Sequence, residues 1–556
     1  MSTYGIDLGT TYSCIARLDQ NGNPEVIRNQ ADASDTLASA LFFESQDNIV
    51  VGNAAKDMIE TDGDRVVQFV KREIGKKNGR TYEFDGKIYT PIEISALILK
   101  RLIQMVEEQG DTVEDAVITC PAYFGLEERN ATRQAGELAG LNVLNLINEP
   151  TAAALSYCAR QFQEERTILV YDLGGGTFDV TIMQMGLEIN EQACEVQKMT
   201  VVTTGGNDQL GGKDWDDKLF NYILDTCCDD NGICPEDVDA ETRQEIRSKV
   251  EPTKKKLSNT QSAKIRVSVN GNPTAVTITR EEFEALTADK VKQTMDYVET
   301  TLKKAGNIEI DTVLLVGGST FMPMIREAVE NRFPGKVQIE DPDRAVAKGA
   351  AIYASMLVEE EMAAAEMEEN LDDFPDNAGL DVQGSEIPEK PKKKVFHGLA
   401  ASFVVEDQTP RSFGPGILDD SREYVIDNII KMGEKMPARI VKTYYPANDD
   451  QESVVLSVFE SMSMDDSLIP CVDVAGEPQY TDPSLNVKLL GELELQLPPH
   501  STTRTPIETT FQVDAIGVYV KAMNADTGES VETVLRMDSD VDFEKSAVNL
   551  VDVSGE

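Results

Sequence analysis

Two short stretches combine an acid, a turn of small residues and hydroxyls between apolar runs: YGIDLGTTYSCIA at 4–16 and ILVYDLGGGTFDVTIM at 168–183. Each reads as strand, tight turn, strand, with Asp7 or Asp172 closing the first strand. Glycine has no Cβ, so backbone N–H groups in such a turn approach an anion closely and make a concavity for phosphate. Gly174, Gly175 and Gly176 supply one cradle, and Gly9, Thr10 and Thr11 the other. Asp7 and Asp172, facing each other across a cleft, offer the hard oxygens that hold Mg²⁺, largely through its waters, beside phosphate. One GGG hairpin alone is a structural turn as readily as a site. The two aspartates stand 165 positions apart (172 − 7), a spacing suited to two similar half-domains that together grip a metal triphosphate. Neither hairpin carries GxxxxGK[ST] or a strand-linked GxGxxG, so neither a P-loop nor a Rossmann dinucleotide site is indicated.

Two further glycine turns follow. In DTVLLVGGSTFMPMIREAVENRF, Gly317 and Gly318 lie between a strand and an amphipathic helix, where a backbone turn suits the nucleoside end of a ligand. In TTGGNDQLGGKDWDD, Gly205 and Gly206 suggest a fourth turn around the same nucleotide.

The elements that hold these turns divide the 556 residues into regions. Up to 357, strands such as DAVITCPAYF alternate with helical patterns such as ISALILKRLIQMVEEQ, which means α/β architecture. Residues 358–402 are read as a tether: 358–394 pass from an acidic, alanine-rich helix tail into a Pro, Gly and Asp stretch ending in KPKKK, too polar to bury a core. From 415 to 545 short alternating strands such as ESVVLSVFES and GELELQLPP indicate an all-β sandwich, and 546–556 form a tail.

Composition excludes several classes. With 52 Lys and Arg against 98 Asp and Glu the net charge is −46, which repels nucleic acid and anionic membranes. No basic, apolar leader opens the sequence and no apolar run approaches the roughly 20 residues of a bilayer span, so a cytoplasmic protein is expected. The eight cysteines form no CxxC pairs and read as reduced thiols. His397 and His500 have no acid or nucleophile motif nearby.

GIDLGTTYS, FVKREIG, CPAYFGLEERNATRQAGELAGLNVLNLINEPTAAALSY, VYDLGGGTFDV, QLGGKDWDD, KKLSNTQSA, VLLVGGSTFMP and DPDRAVAKGAA resemble, in order, the nucleotide-binding domain of the seventy-kilodalton heat-shock chaperones of the DnaK type. The resemblance covers residues 4 to about 357 and implies the actin-like, two-lobed ATPase fold built of duplicated half-domains. It implies ATP or ADP with Mg²⁺, and K⁺ as a further ion. Asp7, Asp172 and Thr10 would position Mg²⁺ and the phosphates, and Lys71 would reach the γ-phosphate. Glu149 and Thr177 would orient the attacking water or the γ-phosphate, and Asp179 would help hold a monovalent cation or water. Glu251, Lys254, Lys255 and Ser258 match the nucleoside-contacting helix, with Ser319 and Asp343 in the adjoining turns. Pro121 and Arg129 match the relay from the cleft to the peptide domain. After GGST, where the family has arginine, this chain has Phe321, whose ring either stacks on the base or turns into the core.

The second half resembles the family more loosely. FVVEDQTPRSFG, 403–414, is similar to its interdomain linker: Phe403, Val404 and Val405 either dock on the ATPase domain or begin the sandwich. Alignment by eye puts Leu418, Ala447 and Val454 at peptide-groove positions, where core packing is the competing reading. The family's helical lid finds no counterpart. The expected function is an ATP-hydrolysing chaperone whose β domain binds unfolded or extended polypeptide, with a J-domain co-chaperone and a nucleotide-exchange factor as partners. A small-molecule kinase of the actin-like fold and an ATP-binding scaffold are the alternatives.

Overall fold

A computed structural model describes residues 3–76, 79–161, 165–189, 195–339, 341–372, 403–419, 421–463, 469–474, 477–480, 485–514, 517–535 and 553–554. Two sheets of the same build hold the two hairpins. In the first, Tyr4–Asp7 pairs in parallel with Asp115–Cys120 and antiparallel with Tyr12–Leu18. In the second, Arg166–Leu173 pairs in parallel with Thr312–Val316 and antiparallel with Phe178–Ile189. Asn142–Asn148 extends the first sheet and Glu195–Asn207 the second. The repeated order and sense are those of duplicated α/β lobes.

Each lobe has its own apolar core. The first surrounds the helix Pro91–Glu107, which begins sharply because Thr90 Oγ1 accepts from the Glu93 amide at 3.2 Å while Glu93 Oε2 accepts from the Thr90 amide at 2.7 Å. That reciprocal cap satisfies two orphan donors of the first turn. The second core contains the fully buried Trp215 and Phe283. A third cluster joins the lobes through the helices Glu149–Gln161 and Ala345–Asp372, lined by Ala152, Ala153, Ala350 and Ala354. Small residues let these helices approach closely, and a Cβ on Gly349 would overlap the Ala152 carbonyl. Ala345–Asp372 crosses the boundary expected at 357, because the alanine-rich, acidic run continues the helix. The remainder of the expected tether, with KPKKK and His397, lies outside the described residues.

Phe403–Gln408 is a strand of the second lobe's sheet: it adds in parallel to Glu195–Asn207, from Gln197 opposite Phe403 to Thr200 opposite Glu406. Its far end pairs antiparallel with Lys435–Met436. Among the described residues from 403 onward, every regular element is a strand. Two sheets face each other here, one containing Ser412–Leu418, Ser453–Ser461 and Lys488–Gln496, the other Ala438–Tyr444, Ile507–Val513, Val518–Asn524 and Ser530–Leu535. Strict alternation of buried and half-buried positions along Val518–Asn524 places Val518, Val520 and Ala522 inside, as the period-two pattern requires. The strands start at Ser412, three residues before the expected boundary, and residues 536–552 lie outside the described set. In the expected tail, Val553–Ser554 is a strand paired in parallel with Ile49–Val51.

Candidate active site

Between the lobes lies a cavity of about 750 Å³. Both hairpins reach it, and they touch: a Cβ on Gly175 would overlap Thr11, and one on Gly176 would overlap Thr10. Glycine is therefore required there by close approach between lobes. Gly9, Thr10 and Thr11 line the cavity from one side, Gly174, Gly175 and Thr177 from the other. Gly176 does not line it; Arg72 donates from Nε to the Gly176 carbonyl at 2.9 Å and fixes the hairpin from behind.

The cavity floor carries Asp7, Lys71, Glu149 and Asp172. Asp7 and Asp172 sit at corresponding ends of the two central strands, Asp7 opposite Cys14 and Asp172 opposite Asp179. Lys71 is 5% exposed and donates to Glu149 Oε1. Burial, with the charge of Glu149, pushes Asp7 up to about 7, against the pull of Lys71 and a hydrogen bond from Thr119 Oγ1 at 3.1 Å. Burial and the charges of Glu149 and Asp7 push Asp172 well above the usual carboxylate range. Lys71 stays charged: burial opposes the ammonium, but Glu149 and Asp7 outweigh it and raise its pKa. Three carboxylates thus share one lysine, an arrangement short of positive charge.

That donor set fits a hard cation. Carboxylate oxygens beside phosphate cradles are what Mg²⁺ takes, and it keeps most of its waters. Among the described residues no group of three His, Cys, Asp or Glu side chains is placed to hold a metal by itself. Asp179, 1% exposed, lies beneath the floor rather than on it, and burial raises its carboxyl well above the ordinary value.

The upper wall comes from the helices Gly212–Asn231 and Ala240–Asn259 and from the turn after Thr312–Val316. Gly317 has φ 85°, a left-handed conformation that disfavours other residues, and Ser319 Oγ donates to the Gly174 carbonyl at 2.9 Å. Glu251 is held by Lys56, by Lys255 at 2.8 Å and by the Tyr12 hydroxyl at 3.1 Å. Burial opposes its charge, but the two lysines hold it down at about 2. Lys254 Nζ donates to the Gly212 carbonyl and to Asp216 Oδ2, both at 2.9 Å. Ser258 and Asp343 also line the cavity.

Phe321 is 43% exposed and lines the cavity, so its ring does not turn into the core. The Arg326 guanidinium lies 5.6 Å from its centroid and faces the same cavity. Gly205 and Gly206 require correction. They make no turn and do not line the cavity; they lie within the strand Glu195–Asn207, opposite Val180 and Asp179. A Cβ on Gly206 would overlap the Phe178 carbonyl, so these glycines serve strand packing. Sequence reasoning missed Tyr12, Lys56, Asp216 and Arg326. Tyr12 adjoins the quoted Thr10–Thr11 turn and Asp216 the GGKDWDD run, but nothing local marks Lys56 or Arg326.

A hydrogen-bonded route leaves the floor. Arg129 Nε donates to the Phe124 carbonyl at 3.0 Å, and the Phe124 amide donates to the Pro121 carbonyl at 3.2 Å. Arg129 also donates to Asn148 Oδ1, and Asn148 Nδ2 donates to Asp407 Oδ2 at 2.6 Å. Asn148 immediately precedes Glu149, and Asp407 belongs to the strand Phe403–Gln408. Val405 packs against the cluster between the lobes, while Val404 is exposed. The β-strand region meets the Leu126–Leu138 helix: Leu126 joins the core of Phe413, Ile430 and Phe511, and its amide donates to Glu460 Oε2 at 3.3 Å.

Leu418 is exposed at the end of its strand, and the Ala447 carbonyl accepts from Arg422 Nη2 at 3.4 Å across the neighbouring turn. Val454 packs against Leu495, Leu497, Ile507 and Ala522, so of its two readings the structure bears out core packing rather than a groove position.

Two α/β lobes of one build, closing on a cavity with paired acids, phosphate cradles and a buried lysine, define an actin-like ATPase. The family model described as Hsp70 protein matches residues 3–374. The chain is 34% identical over 545 residues, 96% of its length and 80% of the relative's, to "Chaperone protein DnaK" of Thermotoga petrophila. The chain belongs to the Hsp70 family, the ATP-dependent chaperones, and its enzymatic activity is ATP hydrolysis. The family binds ATP or ADP, typically with Mg²⁺, and acts on polypeptides with co-chaperones. Nothing in these comparisons favours the kinase alternative. Among the described residues no helix is long and apolar enough to cross a membrane.

Proposed function

We propose that ATP turnover in the cavity controls how the strand Phe403–Gln408 and the β-sandwich sit on the lobes, and thereby the sandwich's affinity for extended polypeptide. The observation that carries this reading is the Asn148 to Asp407 hydrogen bond, which ties the residue beside Glu149 to the linker strand. Asp7 and Asp172 would hold Mg²⁺, which supplies charge neutralisation at the phosphates when bound. Lys71 would neutralise the charge that develops at the γ-phosphate, and hold Glu149 in place. Glu149 and Thr177 would orient the attacking water, Glu149 accepting its proton. Asp179 would serve a monovalent cation or water below the floor. Glu251, Lys254, Lys255 and Ser258 would contact the nucleoside, with Phe321 and Arg326 beside the base.

In this reading residues 1–357 with the helix continuing to Asp372 form the ATPase domain, 403–414 the linker, and 415–545 the peptide-binding domain, whose first strand begins within the linker at Ser412. Leu418 and Ala447 remain its candidate peptide contacts. A J-domain co-chaperone and a nucleotide-exchange factor would be partners, in the cytoplasm.

The deciding experiment is fluorescence polarisation of a labelled apolar peptide with the full chain in ADP and in ATP, beside Asp172→Asn. Binding that weakens with ATP in the wild type and not in the variant is expected. Absence of binding in both states, with ATP hydrolysis intact, would overturn the peptide-holding role.

A further inference from the structure

The strands Ile49–Val51, Ala40–Phe43 and Val66–Gln68 form a small sheet of the first lobe, with Ala40–Phe43 in the middle. The outer side of Ile49–Val51 is taken by the end of the chain. Val553 stands opposite Ile49 and Ser554 opposite Val50, in parallel. Parallel pairing excludes a hairpin and requires a crossover. Here the crossover is nearly the whole polypeptide.

Two features make this edge a receptor for an extended segment. Its side chains are buried, Ile49 at 0%, Val50 at 9% and Val51 at 1% exposure, so the edge is apolar on both faces. An edge strand also presents a row of N–H and C=O groups that pair with any extended chain laid along it. The helix Pro91–Glu107, from the core of the same lobe, lies beside the added strand and bounds the slot.

We propose that the C-terminal residues around Val553–Ser554 are an intramolecular ligand of the Ile49–Val51 edge, a second tether between the β-sandwich and the ATPase lobes. The first tether, Phe403–Gln408, fastens the beginning of the β region to the second lobe by parallel strand addition to Glu195–Asn207. The tail fastens its end to the first lobe by the same chemistry. The β region is thereby anchored on both lobes that close on the nucleotide cavity, and rotation of one lobe against the other changes the distance between its anchors. Recognition is by main-chain hydrogen bonding to an extended segment, the strand-addition mode, and the occupant is the chain's own Val553–Ser554. This tether goes beyond the nucleotide switch proposed above and does not depend on it.

The test is hydrogen exchange of the Ile49–Val51 amides in three proteins: the full chain, a chain ending at Asn549, and the full-length double variant Val553→Pro/Ser554→Pro. Adjacent strand residues point their N–H groups to opposite sides, so the prolines must remove a ladder donor at one of the two. ATP hydrolysis and the melting temperature report that each variant is folded. Exchange about tenfold faster at 49–51 in both variants is expected. A labelled peptide LVDVSGE should bind the shortened chain, restore that protection, and be excluded by the full chain. Unchanged exchange in the folded variants, or equal binding of the peptide to full and shortened chains, would overturn the proposal. Protection that depends on protein concentration and accompanies a dimer in light scattering would also overturn it, since the tail would then serve a second copy.

Discussion

Asn148 Nδ2 and Asp407 Oδ2 are hydrogen bonded at 2.6 Å although 259 positions separate them. The bond joins the last residue of a strand that ends at the cavity floor to a half-buried acid of the strand Phe403–Gln408. Burial raises the Asp407 carboxyl above its ordinary range, against the nearby Arg129 and the hydrogen bonds from Gln408 and Asn148. A half-buried acid that loses a donor is destabilised towards the lower end of the roughly 1–3 kcal/mol a buried unsatisfied group costs. Asn148→Ala should therefore loosen linker docking without removing any group from the floor. Limited proteolysis between 403 and 408 should quicken in ATP, and the ratio of peptide affinities between ADP and ATP should shrink.

Lys71 is the only cation the floor offers to Asp7, Glu149 and Asp172 among the residues lining its base. Lys71→Ala should lower single-turnover ATP hydrolysis by about a hundredfold or more, as removal of a preorganised electrostatic group does. It also removes the charge that holds Asp7 down at about 7. The Asp7 pKa should then climb further, so Mg²⁺-dependent nucleotide binding should need a higher pH than in the wild type. Filter binding of ATP across pH 6 to 9 checks the direction.

Phe321 faces the cavity with Arg326 across its ring, in place of a single arginine after GGST. Base stacking on an aromatic side chain contributes about 1–3 kcal/mol. Phe321→Ala should weaken ATP binding by roughly five- to a hundredfold, while binding of inorganic tripolyphosphate is unchanged. Equal losses for both ligands would show that the ring acts on the fold of the turn instead.

The hairpin chemistry was legible because it is local: acid, glycines and threonine sit within six residues, and the second hairpin repeats the first. The same rule misled at Gly205 and Gly206, where paired glycines stand in a continuous strand because Thr301 and the Phe178 carbonyl occupy the space a side chain would need. The alternating pattern identified the strands after 412 but not which apolar residues face a groove. Val454 looks no different from Leu418 in sequence, yet one packs on Leu495 and the other is exposed. Pairings such as Asn148 with Asp407 and Val553 with Ile49 have no local signal, since only the assembled fold brings their elements together.

Glu406, next to Asp407, is tuned in the opposite sense. Burial opposes its charge, but hydrogen bonds from Lys198, Lys435 and Thr200 hold it down at about 2, against an ordinary value of 4.5. A depressed carboxylate stabilises the docked strand above its undocked pKa, and that contribution is lost as pH falls through the docked value. Docking of the strand Phe403–Gln408 should accordingly weaken between about pH 4.5 and 2. Glu406→Gln should flatten that part of the profile while leaving the docked strand in place at acid pH. Tryptophan-independent readouts such as proteolysis by pepsin at the linker suit this range.

The contact between the sandwich and the Leu126–Leu138 helix concentrates negative charge on one lysine. Lys488 pairs with Glu127 and lies 3.9 Å from both Glu128 and Glu460. Glu460 is 1% exposed, and burial raises its carboxyl, with Arg411 and Lys488 opposing and Glu128 adding to the rise. Lys488→Ala removes the cation that Glu127, Glu128 and Glu460 face in common, and breaking a buried pair in this way costs up to about 3–5 kcal/mol. The half-buried lysine should give the lower end of that range. The sandwich should separate from the helix, seen as a larger radius of gyration in small-angle scattering. Adding Glu460→Gln should restore part of the docking by removing a buried charge, whereas a merely structural loss of the lysine stem would leave the double variant as extended as the single one.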